Sequence, residues 1–260
     1  MSYYPILKAP FSKGWTSLAN FPPNNWELKS NLSKFVNVTW AESGLWHTKN
    51  LTILEAESFL KVTYDDLVNI VPDNSFPFLS LSSELLPEKS KYLPDINDFN
   101  TKTPVWRATL GLSTDYSSVS YQGEIDKFHT QGSLLTFCPF IQAKDSVDNY
   151  LLFINLEASA SHRTAQLEFF DAKNKIIKSK LSVKNNGLTV VSLNEISYKN
   201  DDLPVIICRG MSGIPVFYSK TSDGYFLSLE HTHPPASFVI HGKRWEAQKE
   251  LKKNWFLKVI

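Results

Sequence analysis

The sequence predicts an all-β chain, an antiparallel β-sandwich with a short C-terminal α-helix. Three observations carry that expectation. Apolar and polar residues alternate with period two through the latter two thirds, Asn, Asp and Gly punctuate the alternating runs, and aromatics make up 13% of the chain. Side chains on a strand point alternately to opposite faces, so period two marks a half-buried strand. Aromatic and β-branched residues fit that surface. With 260 residues, 42% of them hydrophobic, the chain is long enough for a sizeable core and is read as one β-rich domain over 1–260.

Taken in chain order, Pro22-Pro23-Asn24-Asn25 reads as a loop and Phe35–Trp40 as a strand. Residues 51–71 mix both periods, leaving strand and helix open. Residues 72–104, rich in Pro, Ser, Asp and Lys, read as a loop-rich crossover. In Val105–Ser113, Trp106, Ala108, Leu110 and Leu112 share one face. Val119, Tyr121, Gly123 and Ile125 then alternate with Ser120, Gln122 and Glu124. Ser133–Ile141 is apolar enough for a central strand, with Pro139 demoting its far end to an edge or bulge.

Tyr150–Leu156 is a continuous apolar run of strand length. Ala165, Leu167 and Phe169 alternate, Asp171–Lys175 turns the chain, and Ile177, Ser179, Leu181 and Val183 alternate again. Asn186-Gly187 is a hairpin signal, because both residue types tolerate positive φ. Strands are expected at 188–193, 204–208, 214–218 and, after Ser222-Asp223-Gly224, at 225–229. Short turns between strands imply antiparallel pairing. Helix formers dominate about 242–257. From Gly242 to Lys258 six basic residues face two acidic ones, so the segment reads as a surface helix docked by Trp245 and Trp255, with an anionic partner or a membrane surface as the alternative. No internal repeat is visible.

Asn149–Glu157, Ala165–Asn174 and Gly187–Leu193 are similar to strands of immunoglobulin-like sandwich modules of bacterial proteins. The resemblance covers residues 149–193 and implies a sandwich of immunoglobulin-like type, with a jelly-roll-like type as the other option. It carries no functional residues over.

The formal charge of +1 supplies no basic field, so no nucleic acid is expected as a partner. The sequence shows no secretory signal and no apolar stretch of about 20 residues, so a cytoplasmic, soluble protein is expected. Cys138 and Cys208 sit in apolar runs and are expected as buried thiols, with a single bridge left open. Phosphate-loop, dinucleotide, zincin and Cys-x-x-Cys motifs are absent from the sequence.

Two constellations carry candidate chemistry. Trp106, Arg107, Tyr121 and Glu124 combine an aromatic with forked polar groups suited to a sugar or carboxylate. Cross-strand pairing of Arg107 with Glu124 explains two of them equally well. His231 and His233 share a strand face, and His241 follows. Three imidazoles suit a divalent transition metal with an open fourth position, although Pro234-Pro235 ends the strand at once. A third stretch, Arg209-Gly210-Met211-Ser212-Gly213, lacks the nucleophile-elbow spacing, and its glycines read as backbone geometry. The leading expectation is a non-catalytic protein without a cofactor that binds carbohydrate or another protein. The alternatives are a metal-dependent enzyme using His231, His233 and His241, and a structural or assembly protein.

Overall fold

The computed structural model describes residues 2–20, 33–94, 108–123, 125–138, 146–231 and 253–254. The helix expected at 242–257 lies outside the described residues apart from Lys253 and Asn254. The chain is all-β and groups into two compact units. Unit 1 comprises Met1–Lys127, Leu156–His162 and Asn186–Leu188, and unit 2 comprises Phe128–Asn155, Arg163–Asn185 and Thr189–Ile260.

Unit 1 contains β1 (Tyr3–Pro5), β2 (Lys13–Asn20), β3 (Lys34–Glu42), β4 (Leu45–Leu54), β5 (Ser58–Thr63), β6 (Phe78–Ser82), β7 (Lys89–Ser90), β8 (Ala108–Ser113) and β9 (Ser118–Gln122). They form two sheets, ordered β1-β6-β3-β4-β7 and β5-β2-β8-β9. Residues 51–71, ambiguous in sequence, hold the end of β4, the whole of β5 and a 3-10 turn at Asp65–Leu67. The stretch 72–104, read as loop, contains β6, an interior strand hydrogen-bonded to β1 and β3. All five residues of β6 are buried. Leu79-Ser80-Leu81-Ser82 does alternate, but the run is only four residues long within a stretch rich in Pro, Ser and Asp, and its serines are buried too, so its place inside a sheet is set by pairing with β1 and β3.

Unit 2 contains β10 (Leu134–Phe137), β11 (Val147–Asn155), β12 (Thr164–Asp171), β13 (Ile176–Lys184), β14 (Gly187–Ser192), β15 (Pro204–Cys208), β16 (Ile214–Thr221) and β17 (Leu227–His231). Its sheets are ordered β10-β15-β12-β13 and β14-β11-β16-β17. One buried cluster draws Leu134, Leu167, Phe169, Val183, Ile206 and Cys208 from the first sheet and Leu151, Phe153 and Phe217 from the second. Each such side chain contributes about 1.5–3 kcal/mol when fully buried. Within β11, Tyr150–Ile154 reads as an unbroken apolar run because the face away from that cluster is covered too, with Leu152 and Ile154 at 0% exposure.

Two sequence expectations are corrected in this unit. Of the segment expected as a central strand, Ser133–Ile141, residues 139–141 lie outside the described residues and the rest supplies β10, which among the described residues lies at a sheet edge and pairs with β15 alone. Its apolar residues do not require neighbours on both sides: Leu134 faces the core, whereas Phe137 is 49% exposed. The Asn186-Gly187 signal does not make a hairpin, because β13 and β14 belong to different sheets. The local conformation was legible, since Asn186 has φ 55°. What fixes the corner is its side chain: Oδ1 accepts from the Glu157 N–H at 2.7 Å, and Nδ2 donates to the Ser159 carbonyl at 2.8 Å.

The β12–β13 hairpin forms as expected, with Leu167 opposite Leu181. Its turn is organised by Asp171, whose fully buried carboxylate accepts from the N–H groups of Lys173 (3.0 Å), Asn174 (3.4 Å) and Leu203 (3.0 Å) and from Asn174 Nδ2 (2.6 Å). Burial opposes the charge, but the donors of Leu203, Asn174 and Lys173 outweigh it and hold the carboxyl at about 2. The pairing shifts at Phe169/Phe170, and Lys178 reaches Asp202 at 2.7 Å.

Both units share one strand plan. With the two-residue β7 left out and the rest numbered in order within each unit, both read 1-6-3-4 in one sheet and 5-2-7-8 in the other.

Candidate ligand-binding face

A candidate ligand-binding face lies on the exposed side of the sheet β5-β2-β8-β9 of unit 1. β2 alternates strictly: Gly14, Thr16, Leu18 and Asn20 are buried, while Lys13, Trp15, Ser17 and Ala19 take the other face. Residues paired across strands share a face, so the registers define the exposed rows. Lys13 stands beside Ser113 and Ser118; Trp15 lies between Thr63 and Gly111, with Ser120 beyond; Ser17 lies between Lys61 and Thr109, with Gln122 beyond; Ala19 is beside Phe59. The face is therefore an indole surrounded by hydroxyls, one amide and two ammonium groups, with Phe59 73% exposed at its end. Trp15 and Phe59 are separated by four residues along the sheet, roughly 13 Å at strand rise.

The Trp15 ring is positioned rather than free. A Cβ on Gly111 would fall 2.3 Å from Trp15 Cε2 and Cζ2, so only glycine leaves room for the indole. Its Nε1 donates to Ser113 Oγ at 2.9 Å, and Ser113 Oγ shares a 2.8 Å hydrogen bond with Ser118 Oγ. The Lys61 ammonium stands 4.5 Å from the ring centroid. Two carboxylates border the face. Asp66 accepts from the Thr63 N–H at 2.8 Å and its hydroxyl at 2.7 Å, which lowers its pKa, and Asp115 lies 3.7 Å from Lys13. A fixed aromatic among polar groups is a surface for a ring with both apolar and hydroxyl edges, since the electron-rich π face attracts polarised C–H groups.

Of the seven ligand- and metal-site candidates, Tyr121 and His231 are among the described residues. Tyr121 is opposite Leu110 in the row Val62, Thr16, Leu110, and therefore faces inward, away from the exposed rows. Burial pushes its hydroxyl above the ordinary tyrosine value. Trp106, Arg107 and Glu124 lie outside the described residues. His231 ends β17 opposite Val216 and is half-buried. His233 and His241 lie outside the described residues, and among the described ones no group of three or more His, Cys, Asp or Glu is placed to hold a metal.

The Arg209–Gly213 stretch is a turn. Gly210 has φ 76°, and a Cβ on Gly213 would sit 2.5 Å from the Ile154 carbonyl oxygen. Arg209 ion-pairs with Glu168, which also binds Lys180 at 3.0 Å. Cys138 and Cys208 are free and buried. Cys208 pairs with Leu134, four residues from Cys138, so the thiols are roughly 13 Å apart along the ladder, beyond disulfide reach.

No family model, curated protein or solved structure matches this chain. No helix among the described residues is long and apolar enough to cross a membrane.

Sequence reasoning missed the Trp15 face. The signal was present in Lys13-Gly14-Trp15-Thr16-Ser17-Leu18-Ala19-Asn20, which alternates over eight residues. Its inner face is Gly14, Thr16, Leu18 and Asn20, with Leu18 the one large apolar side chain, so the hydrophobic period is faint.

Proposed function

We propose that the chain is a non-catalytic saccharide-binding protein built from jelly-roll-like β-sandwich units, with the Trp15 face as its ligand surface. The observation that carries this reading is an indole held over Gly111 and hydrogen-bonded through Nε1, within rows of Ser, Thr and Gln on an exposed sheet. Such a ring loses little freedom when a ligand stacks on it, which lowers the cost of binding. Ser17, Thr109, Ser120 and Gln122 offer donors and acceptors to ligand hydroxyls, and Phe59 extends the track along β2.

The jelly-roll-like type is favoured by strand order. With the two-residue β7 set aside, eight strands in each unit make two four-stranded sheets, and the pairings nest: β2–β8 encloses β3–β6, and β11–β16 encloses β12–β15. In the immunoglobulin order, ABED against CFG, the pairs B–E and C–F interleave instead.

Calorimetric titration with a panel of oligosaccharides, comparing wild type with Trp15→Ala, tests the reading. Binding of at least one saccharide, weakened about tenfold or more by the substitution, is the expected result. Absence of binding across the panel, or equal binding by the variant, overturns it.

A further inference from the structure

We propose that Lys61 selects acidic saccharides, uronate-containing chains in particular, and acts as a cover on Trp15 that an anionic ligand draws aside. This rests on the saccharide reading above. Gly111 packs against one side of the indole, and the Lys61 ammonium stands 4.5 Å from the ring centroid. A neutral sugar that stacks on Trp15 must displace that ammonium and offers it nothing stronger in return. A carboxylate offers a charge-assisted hydrogen bond, which exceeds an exposed cation–π contact. The described rows contain Lys13 and Lys61 and no carboxylate; Asp66 on the border is already engaged by Thr63, and Asp115 lies toward Lys13. Lys13 is already paired with Asp115, and Lys61, 4.5 Å from the ring centroid, places a positive charge where a carboxylate of an acidic chain stacked on Trp15 meets it.

The test is titration of the full chain with a hexauronate, its methyl ester and a neutral hexasaccharide, using wild type, Lys61→Gln and Lys61→Arg. Wild type is expected to bind the hexauronate about tenfold or more tighter than the ester, with affinity falling as salt rises. Lys61→Gln should lose that preference and bind the neutral hexasaccharide more tightly than wild type, because no ammonium has to be displaced from the ring, and Lys61→Arg should retain the preference. Equal binding of acid and ester, or an unchanged preference in Lys61→Gln, overturns the selectivity and leaves the saccharide reading standing. No binding to any of the three overturns both.

A separate observation supports a second inference: we infer that the two units descend from one duplicated unit. Identical strand order alone is compatible with independent arrival at a common architecture. Position-specific matches within that order are not expected from architecture alone. The rows place Trp15 and Gly111 where Tyr150 and Tyr218 stand in unit 2. In the same alignment Asn20 coincides with Asn155 at the end of β2 and β11. Both are buried, and each donates Nδ2 to a backbone carbonyl, of Leu54 at 3.0 Å and Ser212 at 2.6 Å. Thr114 coincides with Thr221, and each hydroxyl accepts a backbone N–H inside the hairpin turn, from Ser117 at 3.1 Å and Phe226 at 3.2 Å. Just upstream, Pro5-Ile-Leu-Lys-Ala9 and Pro139-Phe-Ile-Gln-Ala143 share their first and last residues, one residue out of step with that alignment. A crystal structure of the full chain, with β1–β6, β8 and β9 superposed on β10–β17, tests this. Coincidence of Asn20 with Asn155 and of Thr114 with Thr221 in the best superposition supports common descent. A best superposition that moves either pair out of register overturns it.

Discussion

Replacing Asp171 with Asn removes the charge from a fully buried carboxylate while keeping its shape. Two routes give the magnitude. The carboxyl is held at about 2 against an ordinary value of 3.8, a difference that corresponds to about 2 kcal/mol at 1.36 kcal/mol per pH unit. Independently, hydrogen bonds to a charged acceptor contribute about 1.5–3 kcal/mol, against about 1 for neutral ones, and four donors converge here. Because these bonds share one acceptor they are not additive, and a loss of about 2–4 kcal/mol is expected.

The sign with pH follows from the lowered pKa. The stabilisation is fully present above 3.8 and disappears as pH falls through about 2. Urea unfolding of wild type and Asp171→Asn from pH 7 to pH 2, followed by tryptophan fluorescence, should show a gap that narrows over the acid range. Glu168, Asp201 and Asp223 also have lowered pKa values. They occur in both proteins, so the difference between the curves isolates Asp171. A gap below about 0.5 kcal/mol at pH 7, or one that stays constant down to pH 2, refutes the argument.

Three further outcomes are expected. Asn186→Ala should destabilise by about 1–3 kcal/mol in urea, because it leaves the Glu157 N–H and Ser159 carbonyl without their side-chain partner and puts Ala at φ 55°. Gly111→Ala should shift the Trp15 ring, abolish the effect of Trp15 on saccharide titrations and lower stability by about 1–3 kcal/mol. Cys138 and Cys208, each pushed up to about 12 by burial, should resist a thiol reagent at pH 8 in the native protein. Both should react in guanidinium, and two equivalents without prior reduction would confirm that no bridge exists.

Spacing identifies which residues share a strand face without saying what lies opposite. Tyr121 illustrates the limit: its alternation with Ser120 and Gln122 was legible, but which of the two sets faces the core was set by Leu110 and Thr16 on neighbouring strands. The ligand face needs Trp15, Lys61, Gly111 and Ser113 together, residues that meet only through strand pairing.

By itself the sequence determined what is local: the all-β character, the alternation of β12 and β13, the Asp171 and Asp223 turns, and the left-handed conformation of Asn186. These follow from backbone sterics and from side chains within a few residues of one another. Tertiary structure alone decided the partners: β6 as an interior strand, β10 as an edge, β13 and β14 in separate sheets, and one strand plan used twice. Pairing joins residues distant along the chain, such as Trp15 with Gly111, and its energy comes from burial and ladders that no short stretch encodes.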